Sequence, residues 1–422
     1  MTDDPNDQDL NALVRHLNQM ARGEASRAED ADVDEETGAA RVELPPLPRA
    51  SGVAAGERKD WRVGPVTEEG RERAHALLTM ARAAGATDLF LIAGSPPAIR
   101  RHGDLEALPT APLDDEEVGR LVSALVPAPR RSELAQRGAI DLSWGTPSTG
   151  RFRCNVHRES GGWAVAVRLF PLTIPTLAEL HLPAELATLA ELRHGIVLVT
   201  GPAGSGKSTT LAALLALVTG RRRAHVITIE DPIEYRHPAG VALIEQIEVG
   251  RDTPSFADAL RAALRQNPDV ILVGEMRDPE TIALAVTAAE TGHLVFSTLH
   301  TGDAVQSVSR ILDAYPPGQQ AFVRSQLAVA LAAVVSQQLI PRRDGTGRVP
   351  AVEVLIGTDA VRNLILKGQT EQIAAQIGIS RQRGMRTFEA SLADLVKAGH
   401  IERAEARARA RRPQELEALM GP

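Results

Sequence analysis

The 422-residue chain has one cysteine, Cys154. A lone cysteine excludes an internal disulfide and a zinc site built on several thiolates, and it fits a reducing compartment. Aromatic residues make up only 3% and nowhere interleave with basic ones, so a path on which nucleic-acid bases stack is not expected. Of 47 basic residues only four are lysines. A lysine inside a motif is therefore informative, because arginine's planar fork does not replace an ammonium point charge. No apolar run approaches the roughly 18 residues of a membrane span. The longest, 327–335, runs into Ser336-Gln337-Gln338. Residues 1–10 are acidic and lack the basic-then-apolar order of a signal peptide. Net charge is −7, which disfavours a surface built to coat nucleic acid. With 43% hydrophobic and 24% charged residues, a soluble intracellular protein of two or three domains is expected.

Organisation changes along the chain. Residues 1–65 carry roughly twice as many acids as bases, with Glu29-Asp30-Ala31-Asp32 and Asp34-Glu35-Glu36. Too few apolar groups offset ordering entropy, so a disordered acidic arm is expected. A small α+β domain is expected over 66–170. Helices are predicted at 68–84, capped by Thr67, and at 115–125. Strands are predicted at 88–92, 97–101, 141–144, 150–157 and 163–169. Pro171 and Pro175 mark a linker over 171–182, and Pro183 opens the next unit. From 183 to 400, apolar strands (196–200, 225–230, 270–273, 293–298) alternate with helices (207–218, 255–266, 279–290, 304–312, 321–338, 359–367, 387–398). That order predicts a parallel sheet with crossover helices, an α/β class. A basic, helical tail is expected over 401–422.

Gly201-Pro202-Ala203-Gly204-Ser205-Gly206-Lys207-Ser208, followed by Thr209, fits the G-x-x-x-x-G-K-[ST] phosphate loop. A strand runs in and a helix runs out, as the chemistry requires. Backbone N–H groups converge on the phosphates and the helix N-terminus adds positive potential. Lys207 is expected on the β- and γ-phosphates and Ser208 on Mg²⁺. Val270-Ile271-Leu272-Val273-Gly274-Glu275 supplies a second buried strand with a carboxylate at its carboxyl end. Glu230, Asp231 and Glu234 follow a third strand, and one of them is free to polarise water. His293 and His300 bracket a fourth, where they are structural or sense the γ-phosphate.

These boxes resemble a known family. Gly201 through Thr209, Ile229-Glu230-Asp231-Pro232-Ile233-Glu234, Val273-Gly274-Glu275-Met276-Arg277-Asp278 and Gly292-His293…His300-Thr301 are similar to the Walker A, Asp, Walker B and His boxes of the secretion ATPase superfamily. Ala360-Val361-Arg362-Asn363-Leu364-Ile365 and Gly384-Met385-Arg386-Thr387-Phe388 resemble its PilT-like, pilus-retraction (twitching-motility) group. The resemblance covers about 66–400. It implies a PAS-like domain before a RecA-like P-loop ATPase domain, in a homo-hexameric ring that uses ATP and Mg²⁺. It implies Glu234 as general base, Glu275 acting on magnesium, and His293 and His300 near the γ-phosphate. Arg153 and Arg168 resemble arginines that the family's first domain sends to nucleotide. It further implies an inner-membrane pilus platform protein as partner. The location is then the cytoplasmic face of that membrane, with peripheral association through the partner and no nucleic acid. Two alternatives stand beside a hydrolysing motor: an accessory, non-hydrolysing retraction paralogue, and a nucleic-acid motor on the same core. The helix at 359–367 is expected to be capped by Asp359 and to bury Ala360, Val361, Leu364 and Ile365.

Overall fold

The computed structural model describes residues 63–101, 103–146, 149–238 and 240–421. The expected acidic arm lies outside them except for its last three residues, of which Val63 packs on the first core.

The first domain begins with α1 (Glu68–Ala83). The Thr67 hydroxyl accepts the Gly70 N–H at 3.1 Å, which satisfies one of the donors a helix start leaves without a partner. Strands β1 (Asp88–Ile92), β2 (Ala98–Arg101) and β3 (Asp104–Ala107) follow, then α2 (Asp115–Leu125) and α3 (Arg131–Arg137). Strands β4 (Ala139–Thr146), β5 (Gly150–Glu159) and β6 (Gly162–Leu169) complete one antiparallel sheet, in the order β3-β2-β1-β6-β5-β4. Alternate residues of a strand face opposite ways. Phe152, Cys154 and Val156 of β5 enter a core with Leu77, Leu121 and Val165. Arg151 and Arg153 are thereby left on the other face, and Arg168 of β6 sits opposite Arg153 in register. Burial pushes the Cys154 thiol up to about 12, so it is an inert core group.

The second domain strings together β7 (Gly195–Thr200), α4 (Lys207–Arg221), β8 (His225–Glu230), β9 (Leu243–Glu248), α5 (Phe256–Ala263), β10 (Val270–Val273), α6 (Pro279–Glu290) and β11 (Leu294–Leu299). Then come α7 (Ala304–Asp313), α8 (Pro317–Ala330), β12 (Leu331–Pro341) and β13 (Arg348–Ile356). The seven strands order as β13-β12-β7-β11-β10-β8-β9, every pairing parallel except β12 with β13. Strand β7 is buried along its whole length. Its Ile196 and Leu198 enter one core, and Val197 and Val199 enter the core on the opposite face. Such two-sided burial is why these strands read as continuous apolar runs.

The helix expected over 321–338 is corrected. Helix α8 stops at Ala330 and the chain continues as β12, between β7 and β13. Val334 faces one core while Ala333 and Val335 face the other, an alternation only a strand provides. A short apolar run does not by its period separate a buried helix from a buried strand.

Helix α9 (Asp359–Leu366) is capped by Thr358, whose side chain accepts the Val361 N–H, rather than by Asp359. Val361 and Ile365 are buried, Leu364 is half-buried and Ala360 is exposed, so the apolar stripe is narrower than expected. After α10 (Ile373–Ile379) and α11 (Phe388–Lys397), the segment expected as a tail forms α12 (Arg403–Arg409) and α13 (Pro413–Met420). Ala406, Leu416 and Met420 share a core with Phe388 and Leu392 of α11.

Candidate active site

Four adjacent parallel strands, β7, β11, β10 and β8, release their carboxyl ends side by side. Ligands of open α/β sheets bind at that edge. The phosphate loop leaves β7 there and enters α4. Gly201, Gly204 and Gly206 all have positive φ, at 146°, 73° and 88°. A Cβ on Gly201 would come within 2.3 Å of the Gln337 carbonyl, so this turn accepts only glycine. Pro202 and Ala203 are exposed at the tip, and Ser205 and Lys207 are buried. Lys207 Nζ donates to the carbonyls of Gly201 and Pro202 at 2.8 and 2.9 Å. Burial lowers its pKa, while Glu275 and Glu234 oppose that by favouring the charged form. Thr209 is turned away toward Tyr235, with hydroxyls 2.9 Å apart.

Glu234 lies on the loop after β8 and is largely buried. Burial raises its pKa; against this, the nearby Ser208 hydroxyl and the charges of Arg168, Arg153 and Lys207 favour the carboxylate. The charges of both first-domain arginines thus reach the predicted base. Arg168 pairs with Asp88 at 3.0 Å and Arg153 with Asp141 at 3.7 Å, and both remain largely exposed. Glu230, behind Glu234, is pushed up to about 7 by burial, with Thr228 and Gln246 donating to it.

Glu275 follows β10. Arg277 Nε approaches its carboxylate at 2.7 Å and His300 Nε2 at 3.6 Å. The preceding Gly274 sits close to the neighbouring strand, where a Cβ would meet the Ile229 carbonyl at 3.2 Å. His300 joins the site; His293 does not. It precedes β11, at the opposite end from the phosphate loop, and its Nδ1 lies 2.9 Å from the Ala288 carbonyl. Six strand steps of about 3.3 Å separate it from the site edge, roughly 20 Å. The expectation that both histidines lie near the γ-phosphate is corrected to His300 within this chain.

Residues 164–408 match the family described as Type II/IV secretion system protein. A twitching motility protein of Neisseria gonorrhoeae is 46% identical over 327 residues, 78% of this chain and 87% of that protein. The type IV pilus retractation ATPase PilT of Pseudomonas aeruginosa is 44% identical over 340 residues, 81% and 98% of the two chains. The chain belongs to the type II/IV secretion system protein family. It lies on the PilT-like branch. A crystal structure of the pilus retraction motor PilT with bound ADP superposes with a TM-score of 0.75, at 43% identity, over 81% of this chain and 98% of that one.

The site of this family member suits a nucleotide with magnesium on its own chemistry. Ser205 Oγ is buried without a hydrogen-bond partner inside the loop, a hydroxyl free for an anionic oxygen. Among the described residues no cluster of three or more His, Cys, Asp or Glu could cage a metal ion. Ser208 and Glu275 are the groups that would hold Mg²⁺.

Sequence reasoning missed several residues. Gln337 of β12 donates to the Ser205 carbonyl at 2.7 Å and accepts from Thr210 at 2.8 Å, fastening the loop to the sheet. Its only signal is a polar break after an apolar run. Tyr235, Arg151 and Glu248 carry no local signal.

Proposed function

We propose that this chain assembles as a homo-hexameric motor whose MgATP hydrolysis powers type IV pilus retraction. It acts at the cytoplasmic face of the inner membrane through a platform protein. The first domain serves as the PAS-like element and the second as the RecA-like engine. The observation that carries this reading is the phosphate loop, with Lys207 folded onto it, at the carboxyl edge where Glu234 and Glu275 also emerge. No helix among the described residues is long and apolar enough to cross a membrane.

Phosphoryl transfer asks mostly for positioning and charge. Lys207 and the loop N–H groups hold the phosphates. Glu234 takes the proton of the attacking water; burial makes it more basic, and the nearby cations favour its carboxylate form. Arg153 and Arg168 face the charge that develops on the phosphoryl group. Magnesium, when bound, adds charge neutralisation.

The reading is tested on purified full-length protein with Lys207→Ala beside wild type. The variant is expected to fold and to lose turnover by at least roughly 10²-fold, the scale of removing one electrostatic contact to a transition state. In cells, deletion is expected to give hyperpiliated, non-twitching bacteria. Wild-type turnover in Lys207→Ala, or bald cells on deletion, would refute it.

A further inference from the structure

The loop that carries Glu234 is held at one residue by both domains. Glu248, at the end of β9, has a side chain only 4% exposed. Its carboxylate accepts the Ile233 N–H at 3.1 Å. The same carboxylate accepts hydrogen bonds from the Ser143 hydroxyl on β4 and the Arg151 guanidinium on β5. Arg151 Nε in turn donates to the Ile233 carbonyl at 2.9 Å. Both backbone groups of Ile233, the residue immediately before Glu234, are thus taken by one buried ion pair. Ser143 and Arg151 belong to the first domain; Glu248 and Ile233 belong to the second.

Further hydrogen bonds on this loop come from the second domain. Tyr235 meets Thr209 on α4, and Gln246 Nε2 donates to the Tyr235 carbonyl at 2.9 Å. Asp252 fixes Glu248 from below by accepting its backbone N–H at 2.9 Å. Arg151 is the sole arginine of the β5 face with a mostly buried side chain: 12% exposed, against 49% for Arg153. A bare ion pair needs no backbone partner, whereas here the guanidinium divides its donors between a carboxylate and a carbonyl. That geometry restrains a peptide orientation as well as joining two surfaces.

We propose that Arg151 and Glu248 are positioning residues that set the Glu234 carboxylate and make its placement depend on the first domain being seated. The inference rests on the reading of Glu234 as the base. Unseating the first domain removes Arg151 and Ser143 from Glu248 and releases Ile233 on its carbonyl side. Seating restores the grip and aims the next residue at Ser208 and the loop. A displacement of about 1 Å at a reacting group is enough to cost roughly 10² in rate.

The test uses the full chain with Arg151→Met, Arg151→Lys, Glu248→Gln and the double variant Arg151→Met/Glu248→Gln. Steady-state kinetics are read beside amide hydrogen exchange over 231–236. Arg151→Met is expected to lower kcat by roughly 10- to 10²-fold while KM stays within about 3-fold. Exchange over 231–236 quickens while the phosphate-loop helix keeps its protection. Arg151→Lys retains the charge without the fork and recovers only part of kcat. The double variant is no slower than the slower single one, because the pair acts as a unit. Glu248→Gln keeps an acceptor for Ile233 but loses the charge that holds Arg151, so it is expected to lower kcat and quicken the same exchange, and it decides the matter if Arg151→Met does not fold. Wild-type kcat and unchanged exchange in Arg151→Met or, failing that, in Glu248→Gln would overturn the proposal. Exchange does not require turnover. If wild-type protein does not hydrolyse MgATP, or Glu234→Gln hydrolyses it normally, the functional reading fails, and the exchange still decides whether the pair positions the loop.

Discussion

The two sheets carry their chemistry in different places. The seven-stranded parallel sheet presents it at strand ends, where the phosphate loop, Glu234, Glu275 and His300 emerge side by side. The six-stranded antiparallel sheet presents it along a face, where Arg151, Arg153 and Arg168 stand opposite the core residues of the same strands. A parallel sheet buried on both sides has no free face to offer, so function moves to its edge loops. An antiparallel sheet packed on one side has a spare face, and a period of two fills it with whatever residues alternate with the core. In this chain that spare face meets the carboxyl edge of the other sheet, and Glu234 lies where they meet.

If the face of the first sheet is dispensable, its arginines have no part in turnover. Replacing both Arg153 and Arg168 by alanine is expected to lower turnover by roughly 10³-fold, the low end for arginines at a transferring phosphoryl group. Nucleotide affinity, measured with a fluorescent ADP analogue, should change far less. Equal losses in both would make the pair a binding feature only.

Glu230 sharpens the strand-end half. Its folded pKa is about 7 against an ordinary 4.5, because of burial. A raised carboxyl pKa adds stability that is fully present below about pH 4.5 and is lost as pH rises through 7. Glu230→Gln removes that titration while keeping an oxygen for Thr228 and Gln246. Chemical denaturation should therefore show the variant gaining on wild type from pH 5 to pH 8, by up to about 3 kcal/mol. A constant difference would mean that Glu230 does not titrate in this range.

Gln337→Ala addresses the fastening of the phosphate loop. It leaves a buried carbonyl and a buried hydroxyl without a partner, at a cost of about 1–3 kcal/mol in stability, together with weaker nucleotide binding. Unchanged binding would leave Gln337 as a core residue alone.

The smallest expected effect on turnover lies farthest from both sheets' chemistry. Arg362 and Asn363 are exposed on α9, and Arg362 has only a weak pairing with Asp359 at 3.6 Å. The double alanine variant should keep hydrolysis and ring assembly and lose twitching. Normal twitching at wild-type expression would reduce the helix to packing.

What was legible in the sequence follows the distance between partners. The phosphate loop was readable because strand, glycines, lysine and helix lie within about fifteen consecutive residues and each has a local reason. The first-domain strands were readable from their alternation. Glu248 and Arg151 were not, since each looks like a surface charge until folding sets them together across 97 residues. Gln337 was hidden in the same way, 132 residues from Ser205. The misread helix over 321–338 has another cause: alanine-rich, apolar sequence suits either state, and only pairing with β7 and β13 selects the strand. His293 and His300 looked equivalent because sequence shows that a strand lies between them but not which end faces the site.

Whether the face of the first sheet acts on Glu234 is read from the pH dependence of kcat for MgATP hydrolysis in wild type and in Arg168→Ala. Arg168 and Arg153 hold the Glu234 carboxyl down against the upward push of burial, alongside Ser208 and Lys207. Removing one positive charge should raise the pKa of the base, so the acidic limb of the variant's profile should move to higher pH. A lower kcat with the acidic limb unmoved would contradict the claim.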